Sequence, residues 1–292
     1  VLCEPPRVKY ALIREHVGLY PVRLMCRCLE VSASGYYRWL GRRESERASR
    51  RKRVTKKVRD TFEFFRARYG APRITQELLQ AGIPCSTNYI ADIMHKEHIR
   101  ARNGKGFRYR KPVESRINVS PNLLKRCFEI DRPNRRWTSD ITYIWVRDRW
   151  LYLAAVMDLY SRRIVGWALD TQMTEELTKR ALRMALQGRD AKPGLIVHSD
   201  RGVQYRAQGY RDLLSANGCL PSMSRQANCW DNAAMESFFS RLKVELVYAV
   251  SFESISQAKS EVFEYIEVFY NRVRRHSTLG YKSPAEYERK CA

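Results

Sequence analysis

The chain has 292 residues, enough for about two domains, and its composition, 44% hydrophobic and 29% charged, is that of a protein able to bury a sizeable core. The longest apolar run, Trp150 to Met157, is eight residues, far short of the roughly 18 to 20 that a bilayer-spanning helix requires, so no such helix is expected. Lys and Arg number 54 against 31 Asp and Glu, a net charge of +23. Self-repulsion on that scale points to a polyanionic partner, nucleic acid first.

The charge is unevenly placed. Before residue 131 there are 29 Lys and Arg against 12 Asp and Glu, a net +17, and the remainder carries +6. Eight cysteines without a signal peptide or zinc-finger spacing make neither a disulfide framework nor a zinc site, and a reducing cytoplasm is the natural compartment. Cys26 and Cys28 lie on an apolar helical stretch and read as buried free thiols. The chain opens with Val1, which fits an alternative start codon, a processed or truncated chain, or a frame entered by ribosomal frameshifting.

In chain order, residues 1–44 hold a helix-turn-helix pattern: Pro21 to Leu29, a turn at Val31 to Gly35, then Tyr36 to Leu40. Pro21 suits a first helical turn, and Ser32 or Ser34 suits an N-cap, where a hydroxyl satisfies a free backbone N–H. Residues 45–60 form a basic helical connector carrying Arg51, Lys52, Arg53, Lys56 and Lys57, read as DNA backbone contacts rather than a merely solvated face. A second helix-turn-helix-like region, 61–111, pairs Ile74 to Gln80 with Ser86 to Ile99, Gly82 ending one helix and Ser86 or Thr87 capping the next. His95 and His98 on it read as ordinary helix surface. The basic stretch from Arg100 to Lys111 includes Phe107 and Tyr109, and residues 112–130 read as a linker.

Beyond Arg135 the pattern turns strand-like. Trp137 to Val146, Trp150 to Asp158 and Arg162 to Leu169 are β-forming and joined by short turns. A helix from Thr174 to Gln187, a strand from Gly194 to Ser199, a helix from Tyr205 to Asn217, a short strand at Leu220 to Met223 and a long helix from Asn232 to Tyr248 follow. This order predicts an α/β ribonuclease H-like mixed-sheet catalytic core over 131–250, preceded by an all-α helix-turn-helix region. Residues 251–292 read as a C-terminal helix and basic tail.

Such a core brings three acidic residues together: Asp140 in the first strand, Asp200 at the end of the fourth and Glu236 on the long helix. Adjacent central strands set two carboxylates side by side, and a helix on that edge presents a third. An oxygen-only cluster suits Mg²⁺, and two ions about 3.5 to 4 Å apart would clamp the attacking and leaving oxygens of a phosphoryl displacement. Without metal, crowded carboxylates repel. The motifs are Trp137-Thr138-Ser139-Asp140-Ile141-Thr142-Tyr143, His198-Ser199-Asp200-Arg201-Gly202 and Trp230-Asp231-Asn232-Ala233-Ala234-Met235-Glu236.

With Lys243 seven residues after Glu236 and the terminal Tyr270-Asn271-Arg272-Val273-Arg274-Arg275-His276-Ser277-Thr278-Leu279-Gly280-Tyr281, these motifs resemble the DDE transposases of bacterial insertion sequences, above all the second-frame (OrfB) product of insertion-sequence family three. The catalytic core of that family is similar to retroviral integrase. The resemblance covers nearly the whole chain, departing slightly at Ala227, where relatives often have Gly. It implies that Asp140, Asp200 and Glu236 are the catalytic, metal-binding triad, with Mg²⁺ as cofactor, in two ions, and Mn²⁺ able to substitute. It implies as partners double-stranded DNA at the element's ends and target, further copies of the chain assembled on DNA, and the first-frame product. It also implies a bacterial cytoplasmic, nucleoid-associated location. No heptad zipper is present, so the chain resembles the second-frame part alone.

The neighbours of the triad carry alternatives. Lys243 is a phosphate contact or an ordinary surface lysine; His198 is packed or touches substrate; Tyr205 and Trp230 are core aromatics or stack on a base. Asp158 reads as a turn cap and Asp231 as the N-cap of the Glu236 helix. The expected reaction is hydrolysis of a phosphodiester at the element's end, then attack of the freed 3′-OH on a second phosphodiester. Two rivals are a DNA-binding regulator with an inert nuclease-like domain, opposed by the intact acidic triad, and a ribonuclease H acting on hybrids, opposed by two helix-turn-helix patterns.

Overall fold

The computed structural model of the protein describes residues 4–41, 45–102, 130–224 and 232–289. The expected linker, the aromatic residues Phe107 and Tyr109, and Ala227, Trp230 and Asp231 lie outside the described residues. Backbone contacts divide the chain into two compact units, 1–60 and 61–292.

The first unit contains α1 (Pro6–His16), α2 (Val22–Cys28) and α3 (Ala33–Leu40), and most of α4 (Glu46–Phe64). Helices α2 and α3 are the expected pair, and α1 precedes every predicted element. Ile13 of α1, Cys26 of α2 and Tyr36 of α3 form a small shared core with Tyr10 and Trp39 against it. Glu30 turns the chain between α2 and α3 at φ 53°, and Ser32, not Ser34, caps α3 by accepting the Gly35 N–H at 3.2 Å. Cys26 is buried, which pushes its thiol upward, whereas Cys28 is exposed and so does not fit the reading of both as buried thiols. Its side chain follows Arg27 onto the water-facing side of α2. On α4, Val54 and Val58 are buried one turn apart, and Lys52, Arg53, Lys56 and Lys57 are exposed between and beside them.

The second unit begins with the hairpin of α5 (Ala71–Gln80) and α6 (Thr87–Lys96). Gly82 makes the turn at φ 74°, and Ser86 caps α6 through the Tyr89 N–H at 3.2 Å. His95 and His98 are exposed. The sheet follows: β1 (Arg136–Val146), β2 (Arg149–Asp158), β3 (Ile164–Asp170), β4 (Ile196–Ser199) and β5 (Leu220–Met223), in the order β3-β2-β1-β4-β5. The β1–β2 and β2–β3 pairings are antiparallel, and β1–β4 and β4–β5 are parallel. This is the mixed sheet the sequence order predicts.

Helix α7 (Glu175–Gly188) packs on β2 and β3, burying Leu177, Ala181, Leu182 and Ala185. At Gly166 a Cβ would collide with the α7 backbone, so glycine is what admits so close an approach. The expected helix 205–217 is broken at Ala207 into α8 (Val203–Arg206) and α9 (Gln208–Ala216). The long helix runs as α10 (Ala233–Leu242) and then widens into a π-type turn over Lys243–Val247.

The last segment departs from a solvated basic tail. It holds α11 (Ile255–Phe263), a π-type stretch Glu264–Tyr270, a 3₁₀ turn Ser277–Leu279 and α12 (Pro284–Glu288), and its two central arginines are 3% and 8% exposed at Arg274 and Arg275. Arg274 forms a bidentate pair with buried Glu245, with Nε and Nη2 2.7 to 3.2 Å from the carboxylate, and the Tyr265 hydroxyl donates to the same group at 2.9 Å. Arg275 reaches Glu77 and Gln80 of α5, its N–H donates to the Tyr69 hydroxyl at 3.0 Å, and its carbonyl accepts from Arg73 at 2.9 Å. The arginines are thus buried because each finds a carboxylate. The Asn271 amide meets both backbone groups of Ile164, accepting its N–H and donating to its carbonyl at 2.9 Å each, and so pairs with the outer side of edge strand β3.

Candidate active site

Parallel pairing sets Ser139 of β1 opposite Ser199 of β4. The next residue on each strand is an aspartate, so Asp140 and Asp200 emerge from neighbouring central strands at the same level. Asp200 lies just past the end of β4, and its Oδ1 accepts the Gly202 N–H at 2.9 Å. A Cβ at Gly202 would come within 2.9 Å of that oxygen, so a side chain there would crowd the acid. Behind the pair, the Thr138 hydroxyl donates to Asn232 at 2.5 Å, fastening the start of α10 to β1. That contact aims the first turn of α10, and with it Glu236, at the sheet.

Burial pushes the Asp140 carboxyl up to about 8; the Asp200 charge and, more weakly, Glu236 add to this, while the Ile141 N–H at 2.7 Å and Lys243 pull the other way. Asp200 and Glu236 are also raised by desolvation. Asp140 therefore senses both other acids and is the innermost of the three. Their side chains stop short of a closed cage: among the described residues no three His, Cys, Asp or Glu groups converge tightly enough to hold a metal. Lys243 lies over the Tyr143 ring, 4.6 Å from its centroid, its pKa lowered by desolvation and supported by Asp140.

The decoys resolve. Asp158 is fully buried, accepts the N–H groups of Asn134 and Tyr160 and pairs with Arg189 at 3.3 Å, so it caps a turn. His198 is buried, with Nδ1 2.9 Å from the Ser222 hydroxyl and Nε2 3.1 Å from that of Ser224. Tyr205 is a core residue, its hydroxyl 3.1 Å from that of Ser139. Asn232, at the N-cap position of α10, was legible only as part of a motif, and its bond to Thr138 has no local signal. Arg51, Lys52, Arg53, Lys56 and Lys57 belong to the 1–60 unit and the acids to the other.

Residues 130–229 and 236–291 each match a family described as integrase core domain, and 49–106 one described as HTH-like domain. The chain is 40% identical over 288 residues to the transposase InsF for insertion sequence IS3A of Escherichia coli (strain K12), covering 97% of this chain and 99% of that protein. The chain belongs to the IS3-family transposases. The transposase is also 40% identical over 266 residues to an uncharacterized 31 kDa protein of insertion element IS600 from Shigella sonnei, covering 91% and 98%. Among solved structures it is similar to a chain of the simian T-cell lymphotropic virus intasome, with 15% identity, TM-score 0.45 and 79% and 74% of the two chains covered; the family assignment rests on the sequence relatives. It is an enzyme, a polynucleotidyl transferase with an integrase-type core behind a helix-turn-helix-like region, and among its described residues no helix is long and apolar enough to cross a membrane.

Proposed function

We propose that Asp140, Asp200 and Glu236 are the acids through which this transposase cuts the ends of its element and joins them to a target, with Mg²⁺ as the ion they hold, two per site, and Mn²⁺ as its substitute. The observation that supports this is the register that sets Asp140 beside Asp200, with the Asp140 proton retained up to about 8 by burial and by its acidic neighbours. A divalent cation suits that donor set: it is all oxygen, and its crowded charge is what a cation relieves. When bound, such ions stabilise the charge that develops on the attacking and leaving oxygens.

The chain's own part is placement. Thr138 and Asn232 fix Glu236 relative to β1, and Gly202 fixes the Asp200 carboxylate. Lys243, close enough to Asp140 for their charges to interact, meets a phosphate of the strand being cut. In the first step water attacks phosphorus and the bond to the 3′-oxygen breaks, leaving a 3′-OH. In the second that hydroxyl attacks a target phosphodiester, one P–O bond forming as another breaks, so no external energy source and no covalent protein intermediate is needed. Arg51, Lys52, Arg53, Lys56 and Lys57 hold duplex backbone. The transposase works as several copies on DNA with the first-frame product, at the nucleoid of a bacterial cytoplasm.

The test is nicking of supercoiled DNA by the full chain with Mg²⁺, then joining of a pre-cut end. Activity lost in Asp140→Asn supports the reading. Cleavage confined to RNA–DNA hybrids, or none with any divalent ion, overturns it.

A further inference from the structure

A cavity of about 320 Å³ opens beside α10, and none of the three acids lines it. Its wall carries Arg73 of α5, Arg162 from the turn before β3, Arg241 of α10, and Arg274 and His276 of the terminal motif. No carboxylate lines it among the described residues. Arg274 is neutralised by Glu245, but Arg73, Arg162 and Arg241 make no ion pair among the described residues, and a guanidinium cannot shed its charge at working pH. The burden shows in their surroundings. Burial lowers Arg162, with only Tyr270 opposing, and lowers Arg73, with Arg274 adding to the effect and Glu245 and Tyr69 opposing it.

A second observation is independent of charge. His276 is 9% exposed, and its Nε2 is buried with no hydrogen-bond partner. Burial and the flanking Arg274, Arg73 and Arg162 hold it far below the ordinary imidazole range, so it is neutral and offers an N–H or a lone pair, not a charge. A buried polar atom without a partner costs stability unless something fills the site. Arg162 and Arg241 without a carboxylate partner, Arg73 with only the Glu245 charge it shares with Arg274, and an unsatisfied ring nitrogen, with the Ser237 and Thr278 hydroxyls on the same wall, describe the complement of a tetrahedral oxyanion.

Placement decides which oxyanion. Ala233, Ser237 and Arg241 recur every fourth residue and form one stripe of α10, while Glu236 sits one residue from Ser237, about 100° around the helix. The cavity therefore lies on the flank of α10 next to Glu236, within reach of a strand that is engaged at Glu236 and continues over the helix. We propose that this cavity seats a backbone phosphate of the bound DNA, a few nucleotides from the one that reacts. The assignment rests on the reading of the acids as the cutting site, and extends it with a fixed register for the strand.

The test is methylphosphonate interference, with duplexes from the element's end each carrying one uncharged linkage, bound by the full chain in EDTA so that no chemistry is required. For the wild type, one or two adjacent positions should weaken binding about tenfold. In Arg162→Gln with Arg241→Gln, and in Arg241→Gln alone, whose side chain is on the exposed helix surface, those same substitutions should cost less than about twofold, and the log-log salt slope should fall by about one. Variants that keep the interference pattern, or that weaken every position equally, overturn the proposal. Stabilisation of the wild type alone by inorganic phosphate or tripolyphosphate, with an unchanged interference pattern, assigns the cavity to a free anion and also overturns it. Nicking activity is read separately, so loss of this seat leaves the assignment of the acids standing.

Discussion

At the scale of single residues, Asp140 carries the sharpest consequence. Its folded carboxyl holds a proton up to about 8, whereas an unfolded aspartate releases it near pH 4. Between those values the folded metal-free chain binds more protons than the unfolded one, so stability falls as pH rises through that window and levels off above it. Asp140→Asn removes the effect. In EDTA, thermal melts should show the variant equal to the wild type at pH 4 and more stable at pH 8 by up to about 5 kcal/mol, and Mg²⁺ should narrow that gap by stabilising only the wild type. A gap that widens toward acid would refute the placement. The same variant, Asp200→Asn and Glu236→Gln should each abolish nicking and joining while leaving DNA affinity within about twofold, because groups acting as a unit fail together; a variant that still cuts at the wild-type rate is not one of the acids. Asp140 was legible because a charge inside an apolar strand is expensive and so has a purpose. The bond from Thr138 to Asn232 was not, since nothing local marks a partner 94 residues away.

At the scale of elements, the strands and most helices of the 131–250 region could be read from their alternation and spacing, since each buries one face against the sheet. What failed to show was what tertiary contact alone decides. The break at Ala207 and the π-type turn at Lys243–Val247 answer to packing. So does the terminal Arg274-Arg275 pair, which by composition is a basic tail and in the fold is interior. There Glu245 meets Arg274 and Tyr265 with almost no water, and an uncompensated buried charge is costly. Glu245→Ala should destabilise the chain by about 3 to 5 kcal/mol in urea unfolding, and Glu245→Leu with Arg274→Met should recover most of that. A cost under about 1 kcal/mol would mean the pair is hydrated. α1 escaped notice because Tyr10 and Ile13 make a stripe too narrow to stand out beside its charged residues.

At the scale of the whole molecule, the charge asymmetry and the division of the chain coincide only in part. The five basic residues of α4 are in the 1–60 unit, yet the α5–α6 hairpin is fastened to the C-terminal segment through Glu77, Tyr69 and Arg275. With about eight phosphates engaged, affinity should fall with salt at a log-log slope near −7. Replacing Arg51, Lys52, Arg53, Lys56 and Lys57 by Ala should flatten it by about one for each phosphate no longer neutralised and weaken unrelated duplexes alike, measured by fluorescence anisotropy; loss of preference for one sequence alone would mean that α4 reads bases. A chain cut after residue 130 loses the partners of Glu77 and Tyr69, and should melt without a cooperative transition where residues 45–292 keep one. The amide of Asn271 has a consequence of another kind. By pairing with Ile164 it caps the first residue of the β3 edge, where a free N–H and C=O would otherwise be open to another strand. A chain ending before this residue leaves that stretch of β3 bare, and it should self-associate through the exposed backbone more readily than the full chain, a difference that light scattering would read.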